Sequence, residues 1–212
     1  MDRRAFISTL AMAVASVAVA GPAFAEWKPR RPLNVIVPYS AGGGVDAFAR
    51  AVAAAAEGVI PVPVVVVNKP GSSGLVGAQE AAAARPDGNT IMLTSAGSFL
   101  MASSLRASDV NPFDSFQTLA QVGDLAAGIF VPANSPYQTI EELVAAVRSR
   151  PGELRWAHTG RGSFLHVAGE SFLNENGLDV HDVPFKGGSK VRAAVIGGQV
   201  DFGFIGINVG RG

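Results

Sequence analysis

The chain of 212 residues balances 17 basic against 17 acidic side chains, and no Lys/Arg cluster forms a stripe, which argues against a nucleic-acid surface. It contains no cysteine, so disulfides, a catalytic thiol and thiolate metal sites are excluded. Its length allows one large domain or two small lobes with real cores.

The N-terminus reads as a cleaved export signal over residues 1–25. Arg3 and Arg4 give a basic start, Thr9 to Ala20 are almost wholly apolar and small, and Ala23-Phe24-Ala25 offers an A-x-A cleavage pattern before Glu26. A membrane anchor needs roughly 20 apolar residues, more than this run supplies. Arg3-Arg4-Ala5-Phe6-Ile7 also has the form of a twin-arginine signal, which leaves the Sec and twin-arginine routes both open. Nothing else in the sequence is long and apolar enough to cross a bilayer.

From residue 33 strands and helices alternate. Leu33 to Val37 is a predicted strand that runs through Ser40-Ala41-Gly42-Gly43-Gly44 into an alanine-rich helix from Gly44 to Gly58. A tight glycine loop before a helix leaves peptide N–H groups without intrahelical partners and lets a ligand approach them, so this corner suits an anion. Val62 to Val67 is a β-branched run broken only by Pro63, expected to be a strand buried on both faces. Gly71 to Gly74 is a second glycine loop and Leu75 to Ala84 a second helix, stopped by Arg85-Pro86-Asp87-Gly88; Thr90 to Thr94 is a third strand leading into Ser95, Gly97 and Ser98. Loops at the carboxyl ends of parallel strands line one crevice, the usual ligand position.

Phe116 to Val122 is strand-like, and a lobe boundary is expected just after it: a first lobe over residues 26–124 and a second over residues 125–212, with hinge residues near Gly123 to Gly128. Thr139-Ile140-Glu141-Glu142 is a capping box that opens a helix through Val147. Leu154 to His158 reads as a strand, Thr159-Gly160-Arg161-Gly162-Ser163 as another glycine-rich corner, and Phe164 to Asn176 as a helix ended by Gly177. Val180 to Phe185, a helix from Lys186-Gly187-Gly188-Ser189 through Ile196, and Val200 to Ile205 follow.

Six blocks stand in one order: Pro38-Tyr39-Ser40-Ala41-Gly42-Gly43-Gly44-Val45-Asp46; Asn68-Lys69-Pro70-Gly71-Ser72-Ser73-Gly74; Arg85-Pro86-Asp87-Gly88; Gly162-Ser163 with His166-Val167-Ala168-Gly169-Glu170; Val183-Pro184-Phe185-Lys186-Gly187-Gly188; and Gly197-Gly198-Gln199-Val200-Asp201. Together they resemble the substrate-binding proteins of tripartite tricarboxylate transporters, the Bug family. The resemblance implies an α/β, two-lobed periplasmic-binding-protein (type II) fold, each lobe a mostly parallel sheet flanked by helices. It implies a monomeric periplasmic protein without a cofactor, which captures a small organic carboxylate between its lobes and hands it to membrane permease subunits. Family members continue past the last strand, so the chain is expected to be truncated at Gly212, with the second lobe and the return to the first incomplete.

Carried over from the family, ligand contacts fall on Ser40, Ala41, Gly42, Gly43, Gly44 and Asp46 in the first lobe and on Thr159, Gly160, Arg161, Gly162 and Ser163 in the second. Two helix N-termini facing one crevice would present about half a positive charge each. Asp46 is set between first-turn capping and orienting water or a ligand amino group. Ser72, Thr94 and Ser98 are candidate hydroxyl donors, against the commoner role of turn and cap residues. Lys186 is a candidate cation, against a solvated loop lysine. His166 and Glu170 share a helix face, but with no third ligand in view His158, His166 and His181 read as packing or capping residues. A dinucleotide-dependent oxidoreductase is the rival, because Gly42 to Ala47 satisfies G-x-G-x-x-A; Asn68-Lys69 then stands where the ribose-binding acid is wanted. A ligand-sensing receptor module would share the same cleft. Hydrolysis has neither a G-x-S-x-G elbow nor an ordered triad.

Overall fold

The computed structural model describes residues 27–105 and 108–210, so the expected export signal lies outside the described residues. Two sheets carry the fold. The first holds β1 (Leu33–Val37), β2 (Val64–Asn68) and β3 (Thr90–Met92) in the order β2-β1-β3, all parallel. Helices α1 (Gly44–Ala56), α2 (Leu75–Ala82) and α3 (Ala96–Leu105) accompany it. β1 is central, and its alternate residues Val35 and Val37 are fully buried with Val45 and Ala49 of α1. Leu75 and Ala78 of α2 and Phe99 and Ala102 of α3 form a separate core cluster with Val110.

The second sheet holds β4 (Ala127–Phe130), β5 (Arg155–His158), β6 (His181–Pro184) and β7 (Phe202–Gly206) in the order β4-β7-β5-β6. It is parallel except for β4, which pairs antiparallel with β7. The two-residue period of its central strands separates two cores. Trp156, Phe202 and Phe204 face α4 (Ile140–Ser149) and α5 (Phe164–Glu175), while Ala157 and Ile205 face α6 (Gly188–Ile196). α5 lies so close on the indole that a Cβ at Gly169 would stand 2.3 Å from the Trp156 ring. The capping box of α4 is formed: Thr139 Oγ1 accepts from Glu142 N at 3.2 Å, and Thr139 N donates back to the Glu142 carboxylate. A short α7 (Ile207–Gly210) ends the described chain.

Three expectations are corrected. β2 is an edge strand, not one buried on both faces, and Val65 is 42% exposed, because β1 takes the centre of the sheet. Residues 116–122 form no strand; most of them face solvent, with no neighbouring strand to pair with. The strand lies further on, at β4. Ser98, expected in a loop, sits on α3, whose apolar side buries Phe99 and Ala102.

Candidate functional site

The two glycine-rich corners are built on the same plan and braced differently. In the first, Asp46 turns inward and is 2% exposed. Its Oδ2 accepts from Gly42 N at 2.8 Å and Arg50 Nε at 2.9 Å, and its Oδ1 accepts from Asn68 Nδ2 at 2.9 Å. Burial pushes its pKa up, but the hydrogen bonds from Arg50, Gly42 and Asn68 outweigh it and hold the carboxyl below its ordinary value. The side chain thus locks the corner from within.

In the second corner Ser163 caps α5, its Oγ accepting from His166 N at 3.2 Å, and Thr159 Oγ1 lies 3.0 Å from that same oxygen. Gly160 N donates to His158 Nδ1 at 3.2 Å and Gly162 N to His166 Nδ1 at 3.3 Å. The other nitrogen of His158 meets the Asp182 carboxylate, which also pairs with Arg161 Nη2 at 2.8 Å. His158 is fully buried, and that burial holds its pKa below the ordinary imidazole value against the pull of Asp182.

Serines join the halves. Ser40 donates to the Lys186 carbonyl from Oγ at 2.7 Å and from its peptide N at 3.2 Å. Ser73 Oγ donates to Arg161 O at 2.6 Å, and Ser189 Oγ to Ala41 O at 2.8 Å. Phe164 N donates to Ser98 Oγ at 3.3 Å. Between the halves lies a cavity of about 280 Å³, lined by Pro38, Tyr39, Ser72, Ser73, Thr159, Gly160, Arg161, Pro184, Phe185 and Lys186 among others. Hydroxyls, peptide groups and two cationic side chains make a setting for a small anion.

Of the residues named from sequence, Ser72, Thr159, Gly160, Arg161 and Lys186 line this cavity. Ser40 borders an adjoining groove with Pro70, Lys186, Lys190 and Gln199. Ala41 to Gly44 and Asp46 are outside the cavity lining: Gly43 and Gly42 approach Gly188 and Ser189, and a Cβ at Gly44 would meet Leu125 at 2.9 Å and Asn208 Oδ1 at 3.0 Å. The start of α1 faces polypeptide from the second half. Gly162 and the fully buried Ser163, at the end of the second corner, are also outside the cavity lining. Thr94 Oγ1 lies 3.2 Å from the Tyr39 hydroxyl, whose pKa burial raises, so the phenol stays protonated. Sequence reasoning missed Tyr39 and passed over Ser73 in favour of Ser72. Their signal was position, a tyrosine directly after β1 and a serine inside the Gly71–Gly74 turn, where Ser72 and Ser73 both take positive φ, 46° and 56°.

Residues 48–209 match the model of the tripartite tricarboxylate transporter family receptor. This chain belongs to that family. A UPF0065 protein of Cupriavidus necator, in the gbd 5′ region, is 31% identical over 205 residues, covering 94% of this chain and 62% of the relative. BugT of Bordetella pertussis is 29% identical with the same coverage. A solved periplasmic transporter is similar at a TM-score of 0.77 and 30% identity, covering 86% of this chain and 61% of that one. MatC from Rhodopseudomonas palustris with bound malate follows at 0.75 and 27%, covering 82% and 60%. Another R. palustris protein, solved with adipate, gives 0.73 and 25%, covering 85% and 61%. The fold is that of type II periplasmic binding proteins, and the chain spans about three fifths of the length of these relatives. Among the described residues no helix is long and apolar enough to cross a membrane.

Proposed function

We propose that this protein is a periplasmic solute receptor that captures a small organic carboxylate between its two halves and presents it to the permease subunits of a tripartite tricarboxylate-type transporter. The observation that carries the reading is the cavity of about 280 Å³ between the sheets, where Arg161 and Lys186 meet the hydroxyls of Tyr39, Ser72, Ser73 and Thr159. Malate and adipate in the related structures support the ligand class. The protein acts as a monomer and not as an enzyme, after export through the signal at residues 1–25. The lobes divide at residues 124/125. The mechanism is hinge closure about residues 123–128: a ligand bridging both corners favours the closed state by its additional contacts there.

The dinucleotide reading is less well supported. Lys69, which stands in place of the ribose-binding acid, pairs with Glu80 at 3.1 Å, and Asn68 holds Asp46. Thermal shift against malate, adipate and citrate, with NAD and NADP alongside, tests both. A bound acid at 100 times its Kd adds about 2.7 kcal/mol to the unfolding free energy. A shift with a carboxylate alone supports capture; a shift with a dinucleotide alone overturns it.

A further inference from the structure

In the second corner two peptide N–H groups end on imidazole nitrogens, those of Gly160 on His158 Nδ1 and Gly162 on His166 Nδ1. A peptide N–H only donates, so each Nδ1 is unprotonated and each neutral ring carries its proton on Nε2. The surroundings of Nε2 agree: His158 Nε2 meets the Asp182 carboxylate and His166 Nε2 lies 3.8 Å from Glu170 Oε1. The ring centroids are 4.4 Å apart. His158, His166 and Asp182 also place candidate ligand atoms within 4.8 Å of one another, the spacing of a metal site. The tautomer argues against one, since a protonated Nε2 has no lone pair to give and each Nδ1 is engaged.

We propose that His158 and His166 are positioning residues whose neutral rings hold the ligand loop Thr159–Ser163 in its capturing shape, so that protonating either ring releases the loop and weakens binding. The proposal rests on the carboxylate-capture reading. A protonated ring turns Nδ1–H against a peptide N–H, two donors facing, and the bond is lost. Gly160 and Gly162, at φ +118° and +78°, give the loop no side chain to keep its path once those bonds go. Thr159, Gly160 and Arg161 are the part that reaches the cavity.

The charged and titratable groups facing the pair are Asp182 on β6, Arg161 in the loop and Glu170 on α5. From the first half the loop meets Ser73 and Leu105, both uncharged. Asp182 favours the imidazolium of His158, and burial opposes it more strongly, lowering His158 below its ordinary value of 6.5. The His158 half of the brace is therefore intact above pH 6.5 and is lost as pH falls from there through its lower folded value.

Nitrogen-15 spectra of the protein read the brace directly. Both rings should show the Nε2–H tautomer at pH 7.5, and the Gly160 and Gly162 amides should shift with ring protonation. Malate is the calorimetric probe, and its affinity should fall between pH 7.5 and 5.5, by less than the roughly tenfold that a ring titrating at 6.5 would give, because burial lowers His158. His158→Asn and His166→Asn place a non-titrating oxygen near the position of Nδ1. The double variant should stay within about threefold of the parent at pH 7.5 and lose most of the pH slope. Comparison at equal pH cancels the titration of malate itself. The inference is overturned by Nδ1–H tautomers, by pH-invariant Gly160 and Gly162 amides, by affinity that rises on acidification, or by a double variant that keeps the whole slope. If malate binds at no pH, malate capture fails, and the tautomers and amide shifts still decide the brace.

Discussion

The corner after β1 and the corner after β5 share a strand, a glycine-rich loop and a helix start, yet a carboxylate braces the first and two imidazoles brace the second. Asp46 accepts from Gly42 N, Arg50 and Asn68, a set that keeps its charge through the whole neutral range. His158 and His166 accept only while neutral. The same backbone problem, a glycine loop that needs fixing, thus has one pH-indifferent solution and one pH-sensitive solution in a single chain. The first corner packs against the second half, while the second opens on the cavity.

The sharpest way to break this comparison is Asp46→Ala. It leaves the Gly42 amide and the Asn68 side chain without an acceptor and Arg50 without its ion partner, and should cost about 3 kcal/mol in urea unfolding. A loss below about 1 kcal/mol would mean that the carboxylate is not the brace. Next comes Gly160→Val, at φ +118° with Ser73 Oγ 3.0 Å from the added Cβ; about 2 kcal/mol of stability and at least tenfold in malate affinity should go. Gly43→Val should do less harm, because its backbone (φ −82°, ψ 171°) accepts a side chain and an added Cβ meets Ser40 O at 3.2 Å and Gly188 N at 3.9 Å. Asp87→Ala, far from both corners, should change malate affinity less than about twofold.

Ser73→Ala removes the bond to Arg161 O and should weaken malate binding about fivefold, close to 1 kcal/mol, with little change in melting temperature. The smallest effect separates the corners most cleanly. Amide exchange, corrected for its intrinsic pH dependence, should find Gly160 losing protection as pH falls below 6.5. Gly42 should keep its protection until pH drops below 3.8, the ordinary Asp value, and passes through the lower folded pKa of Asp46. Simultaneous loss at both amides would erase the distinction.

Much of this was legible in the sequence where a signal is local. β1 ends where its β-branched run Val35–Val37 does, and the capping box at Thr139 needs only four neighbouring residues. β4 was not legible, because Ala127–Phe130 has little strand character of its own and is ordered by β7, which is 70 or more residues away in the chain. Residues 116–122 show the converse, a strand pattern with no partner. α3 was hidden by Gly97 and Ser98 at its start, although Phe99 and Ala102 anchor it. In the candidate site, the glycine corners announced themselves, but the imidazole pair did not. His158 and His166 belong to different elements, and only the turn between β5 and α5 brings their rings together.

Trp156 lies fully buried, with its indole stacked 6.0 Å from the His166 ring at 14° and 4.9 Å from that of His158. Imidazolium quenches indole emission far more than neutral imidazole does, so this packing contact doubles as an optical gauge. The chain has two tryptophans, and Trp27→Phe would leave a single emitter whose brightness reports the charge on the rings beside it. Without any added dye, such a protein would dim on acidification, and a stopped-flow pH jump would time how quickly protons reach the buried rings.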